Sequence, residues 1–123
     1  MIAGRVNHDQ QAIVSVVVRG EFGQTVAIDA MADTGFTGHL TLPPTAIESL
    51  KLPLRGIAQG TLADGSLRLF RVYRGEVELC GRAIVSRIYA SDGIPLAGMS
   101  LFRGCELRVQ VVPDGEVTIE FLP

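Results

Sequence analysis

The sequence predicts an all-β fold, a barrel or a sandwich, on three observations. Short runs rich in β-branched and apolar residues recur along the chain, and turn signals built on Gly and Asp-Gly separate them. Only two short stretches have helical character. The 123 residues suit one domain, 1–123, with no linker or low-complexity segment dividing it.

Ala12 to Arg19 carries Ile13, Val14, Val16, Val17 and Val18 and reads as a buried strand. Gly20-Glu21-Phe22-Gly23 is the hairpin turn into the next strand, Gln24 to Ala32. His39 to Pro43 is a short strand. Pro44 suits the first turn of a helix, where its missing N–H matters least, Thr45 to Leu50 continues it, and Pro53 marks the stop. Gly56 to Leu62 and Ser66 to Tyr73 flank Ala63-Asp64-Gly65, the turn of a long hairpin. Glu76 to Cys80 and Arg82 to Ala90 flank a turn at Gly81. Ile94 to Ala97 is a short apolar segment ending at Gly98, and Met99 to Arg103 is compatible with one helical turn. Glu106 to Val112 and Glu116 to Phe121 close the chain as a hairpin through Pro113-Asp114-Gly115.

Composition narrows the function. Net charge is −2, so no basic field favours nucleic acid, and the absence of Trp with 6% aromatic residues leaves few stacking platforms for bases. Hydrophobic residues make up 47%, and a domain this small leaves part of that material for a subunit interface. Cys80 and Cys105 are not in a Cys-x-x-Cys arrangement and read as small buried apolar residues. His8 and His39 lack metal-ligand spacing, so neither a metal nor another cofactor is expected. With no signal-peptide pattern and no bilayer-length apolar run, the expectation is a soluble cytoplasmic protein without membrane contact.

Asp33-Thr34-Gly35 is the most informative feature. It sits where the apolar run Thr25 to Ala32 breaks into the loop Asp33-Thr34-Gly35-Phe36-Thr37-Gly38. Burial makes a carboxylate costly to ionise, which is one way proteins tune an acid for proton transfer. Threonine and glycine suit a sharp turn tied by side-chain hydrogen bonds. The other aspartates have ordinary explanations. Asp64, Asp92 and Asp114 precede glycine and read as turn formers, and Asp9 lies in a polar stretch. Asp29 is four residues away along the strand, about 13 Å at roughly 3.3 Å per residue, too far to share a proton. A second carboxylate for Asp33 would therefore come from another copy of the chain. His39 is no obvious catalytic partner, since no serine or cysteine nucleophile accompanies it. Arg68, Arg71 and Arg74 read as a solvated strand face.

Asp33-Thr34-Gly35 after an apolar strand resembles the Asp-Thr/Ser-Gly signature of aspartic proteases, and the single-lobe length resembles the retropepsins and their bacterial relatives. The order of features supports the resemblance over roughly residues 11 to 121. A hairpin precedes the triplet, the hairpin around Ala63-Asp64-Gly65-Ser66 stands where the family carries its flap, and Ile94 to Phe102 looks like its apolar-apolar-Gly segment and short helix. The resemblance implies a closed single-lobe β-barrel with one or two short helices, working as a homodimer without cofactor on peptides or unfolded protein. Asp33 from each subunit would form the catalytic dyad, Thr34 would grip across the interface, and Gly35 would let the turns meet. Phe36, Thr37, the tip residues Ala63, Asp64 and Gly65, and Leu96, Ala97 and Gly98 would contact substrate.

The chain departs from the family at Phe36, where Ala or Ser is usual, and at Thr37-Gly38-His39, which lacks the acidic pair that holds the substrate main chain. A bulky ring at 36 either narrows the cleft or packs against the core. Ala97 is also smaller than the aliphatic residue the family favours. Two other readings stay open: a catalytically silent dimer that binds extended peptides and regulates a partner, and a monomeric barrel for a small apolar ligand.

Overall fold

The computed structural model describes all 123 residues. In chain order the elements are β1 (Ile2–Val6), β2 (Ala12–Arg19), β3 (Thr25–Ala32), β4 (Leu40–Leu42), α1 (Pro44–Leu50), β5 (Leu54–Thr61), β6 (Leu67–Leu79), β7 (Arg82–Ala90), β8 (Leu96–Ala97), β9 (Cys105–Val109) and β10 (Glu116–Phe121). The fold is all-β with one short helix.

Six strands close into a ring in the order β2, β3, β8, β4, β7, β6 and back to β2. Two strands make the closure possible by changing partners along their length. β2 pairs with β1 through Ala12–Val14 and with β6 through Val17–Arg19, while its other edge stays on β3. β6 pairs with β5 as far as Tyr73 and then turns to β2, with β7 along its other edge from Val72 to Leu79. The alternation of β2 explains its role: Val14, Val16 and Val18 are buried on one face, the pattern of a strand with one side in the core. They join Leu40, Leu42, Leu79, Ile88, Leu101 and Ile119 in one cluster, and α1 adds Ile47 and Leu50. The helix ends at Lys51, whose φ of 51° lies in the left-handed region, and the chain leaves toward Pro53.

Several sequence expectations change. β1 was not foreseen; it pairs with both β2 and β10, and Gly4 lets it approach so closely that a Cβ there would stand 1.7 Å from the Ile13 carbonyl oxygen. The expected strands Ser66 to Tyr73 and Glu76 to Cys80 are one strand running through Gly75. β9 starts at Cys105 and ends at Val109, because the Glu116 amide donates to the Gln110 side-chain oxygen and the Val112 amide folds back to the Gln110 carbonyl. Met99–Gly104 is a series of turns, and within it the Leu101 and Phe102 amides both donate to the Gly98 carbonyl, at 3.0 and 3.3 Å, the single helical turn expected there and no longer helix.

Candidate active site

The loop after β3 is held by β8, a two-residue strand that fills the slot between β3 and β4. It runs parallel to β3 (Met31↔Leu96, Ala32↔Ala97) and antiparallel to β4 (Leu40↔Ala97). Asp33 N–H donates to the Ala97 carbonyl at 2.9 Å, and Leu96 N–H donates to Oγ1 of the buried Thr41 at 2.8 Å. The next residues take up the loop's own acceptors. Met99 N–H donates to Phe36 O at 2.8 Å, the Ser100 hydroxyl to Thr37 O, Ser100 N–H to Gly38 O at 3.2 Å, and Gly98 N–H to His39 O at 2.9 Å. Four consecutive carbonyls are thus satisfied from one neighbouring segment, which fixes the loop from beneath.

Asp33 is half-buried at the loop's start, while Thr34 and Gly35 are exposed. Gly35 N–H donates to Asp33 Oδ1 at 2.9 Å, and Phe36 N–H donates to the Asp33 carbonyl at 3.1 Å. The Gly35 bond is the carboxylate's one hydrogen bond within the chain, and no other carboxylate reaches it. Asp29 is engaged elsewhere, accepting the Ser15 hydroxyl at 2.9 Å across the β2–β3 pair. A Cβ at position 35 would stand 3.2 Å from Asp33 Oδ1, so glycine there keeps the carboxylate uncrowded.

Phe36 lies over two glycines. A Cβ on Gly38 or on Gly98 would come within 2.6 Å of its ring. Its edge meets Tyr89 at 5.5 Å between centroids and 82° between planes, and Tyr89 in turn meets Phe70 at 6.3 Å and 76°. Such edge-to-face pairs add to the stabilisation from burial alone. This row of three rings joins the Asp33 loop to β6 in the long hairpin. Phe36 is half-buried and packs on Tyr89, Gly38 and Gly98 beside the loop, not on the hydrophobic core. Nothing in the sequence singles out Tyr89 and Phe70, because only the fold brings residues 36, 70 and 89 together.

The remaining candidates fall into two groups. Ala97 is fully buried and Gly98 lies under Phe36, so both support the loop, and of that triplet only Leu96 keeps exposed surface. Thr37 is exposed within the loop. Ala63, Asp64 and Gly65 form the exposed tip of the β5–β6 hairpin, closed by Leu62 N–H to Ser66 O at 2.8 Å and by Gly65 at φ 84°. The Ser66 hydroxyl and amide both bond Asp64 and hold its carboxyl below the usual range. No hydrogen bond joins the tip to the Asp33 loop. His39 is half-buried, accepts Arg87 N–H on Nδ1 at 3.4 Å, and has its pKa lowered by burial and then by the Arg87 charge.

No protein-family model matches the chain, and no curated protein matches it in sequence. Among solved structures, it is similar to EIAV protease, a retroviral enzyme solved with the inhibitor HBY-793. The TM-score is 0.59 at 17% identity, over 79% of this chain and 89% of that one. This is a retropepsin-like fold. Within it, Asp33-Thr34-Gly35 occupies the loop that β8 anchors, beside the ring of strands and on the side joined by the aromatic row to the hairpin.

Proposed function

We propose that two copies of this chain form an aspartic endopeptidase, with Asp33 of each subunit making the catalytic dyad. The observation that carries this reading is a half-buried carboxylate on a firmly anchored loop, without a carboxylate partner in its own chain, in a retropepsin-like fold. The exposed Thr34 and Gly35 leave that side of the loop open to a second copy. Two carboxylates brought within hydrogen-bonding distance cannot easily both ionise, so they share a proton and titrate as a pair. The ionised member takes a proton from a water between them while the protonated one donates to the substrate carbonyl oxygen. The β5–β6 hairpin, exposed throughout its tip, would lie over an extended peptide and exclude water. The fold match to a protease solved with an inhibitor supports the same reading.

A second reading is favoured by Phe36, which covers ground beside the loop that Ala or Ser would leave open. In it the dimer binds extended peptides and regulates a partner without turnover. One experiment separates the two. The wild-type protein should cleave an unfolded polypeptide under acidic to neutral conditions, and Asp33→Asn should lower the rate by about 10²–10⁴-fold with unchanged fold and assembly. Undiminished cleavage by the variant would sink the dyad. Peptide binding without turnover in the wild type, across a broad pH range, selects the silent dimer.

A further inference from the structure

The limb from Leu54 to Ala90 holds six of the chain's eleven basic residues, all arginine, and three of its thirteen acidic ones. Three of these arginines line one hollow of about 360 Å³ on the β5–β6–β7 surface: Arg55, Arg74 and Arg87. Arg74 and Arg87 are direct cross-strand partners, an arrangement in which like charges repel. Arg55 is the extra residue of a bulge, lying between the pairs Leu54↔Tyr73 and Gly56↔Val72, and bulges re-aim side chains. None of the three takes part in the molecule's four ion pairs, and no acidic residue lines the hollow. Ile57, Val72 and Val85 supply apolar walls. Three arginines without an ion-pair partner in the chain, beside apolar walls and with the Arg87 guanidinium 5.7 Å from the Tyr89 ring centroid, suit a carboxylate carried on an aliphatic stem.

One lining residue, Arg87, links the hollow to the site already described. Arg87 and Tyr89 lie two residues apart on one face of β7, about 7 Å along the strand. Tyr89 touches Phe36, and the Arg87 amide bonds His39 at the end of the Asp33 loop. A peptide lying extended past Phe36 and Tyr89 would bring a side chain over the hollow within a residue or two.

Resting on the endopeptidase reading above, we propose that Arg55, Arg74 and Arg87 form a subsite for an acidic side chain of the bound polypeptide, so that the substrates are acidic near the cleaved bond. The test uses the Asp33→Asn protein, whose turnover is slowed enough for binding to be followed. Its backbone amides are followed by NMR during titration with an extended peptide carrying two glutamates, with the same peptide carrying glutamines, and with inorganic phosphate. The glutamate peptide should shift the amides of Arg55, Arg74 and Arg87 and bind at least about tenfold tighter than the glutamine peptide at low salt. The combined Arg55→Gln, Arg74→Gln and Arg87→Gln variant should lose that advantage, and lysine at the three positions should restore part of it. Equal affinity for the two peptides, a glutamate preference that survives the triple glutamine variant, or tighter binding of free phosphate than of the glutamate peptide each overturns the proposal. Cleavage by the wild type is a separate readout. An inactive protein that still prefers the glutamate peptide keeps the subsite and loses the enzyme, and an active one indifferent to charge does the reverse.

Discussion

A single methyl group at Gly98 would stand 2.3 Å from the Gly38 carbonyl oxygen and 2.6 Å from the Phe36 ring. The glycine and the aromatic residue are therefore one decision, although 62 positions separate them. The family resemblance implies a substrate-facing Leu96-Ala97-Gly98, and adjacent residues say nothing of a ring arriving from elsewhere in the chain. Asp33 was easier to single out, since a charge that interrupts an apolar run is visible locally. The nearby His39 gives a pH prediction. Its pKa in the folded protein is lowered from the ordinary 6.5. As pH falls past that value, the unfolded chain takes up the proton first, so stability is lost on acidification and is fully present above it. His39→Asn keeps an acceptor for Arg87 N–H and removes the titration. Urea melts between pH 7 and 5 should show a shallower loss of stability in this variant; parallel losses would remove His39 from the account.

At the scale of elements, the most instructive strand is β6. Its glycine at 75 made the sequence look like two strands with a break between them, because glycine inside a strand commonly marks a bend or bulge. The cause is packing. A Cβ at Gly75 would lie 3.2 Å from Ile88 Cγ1 and 3.4 Å from Leu52 Cδ2, so the missing side chain lets the segment after α1 close onto the sheet where β6 leaves β5 for β2. Gly75→Val should overpack this junction and cost about 1–3 kcal/mol in a denaturant titration. Amide exchange should rise at Val18 and Val77, which face each other across the β2–β6 pairing. A variant as stable as the parent would show that the junction has slack. β2 and β7, by contrast, match the sequence reading at both ends, since β2 is a dense β-branched run that stops at Gly20 and β7 lies between the turn signals Gly81 and Ser91-Asp92-Gly93. β1 escaped notice because only Ala3 and Val6 of its five residues are buried and a glycine interrupts it.

For the whole molecule, the decisive expectation is that the proposed site belongs to no single chain. Specific cleavage activity should therefore fall as the protein is diluted through its dimer dissociation, with light scattering reporting the change in mass. Activity per chain that stays constant well into the monomeric range would contradict a site shared by two copies. The ring has a further consequence, in time rather than in space. The strands that flank Asp33 are complete by Leu42, yet every partner of the loop's carbonyls from Phe36 to His39 lies between Gly98 and Ser100. At a synthesis rate of about 5–20 residues per second, the triplet exists for several seconds before the residues that hold it have been made. A nascent chain thus carries the residues of its proposed chemistry long before it can arrange them, and the last fifth of the sequence decides when the loop takes its shape.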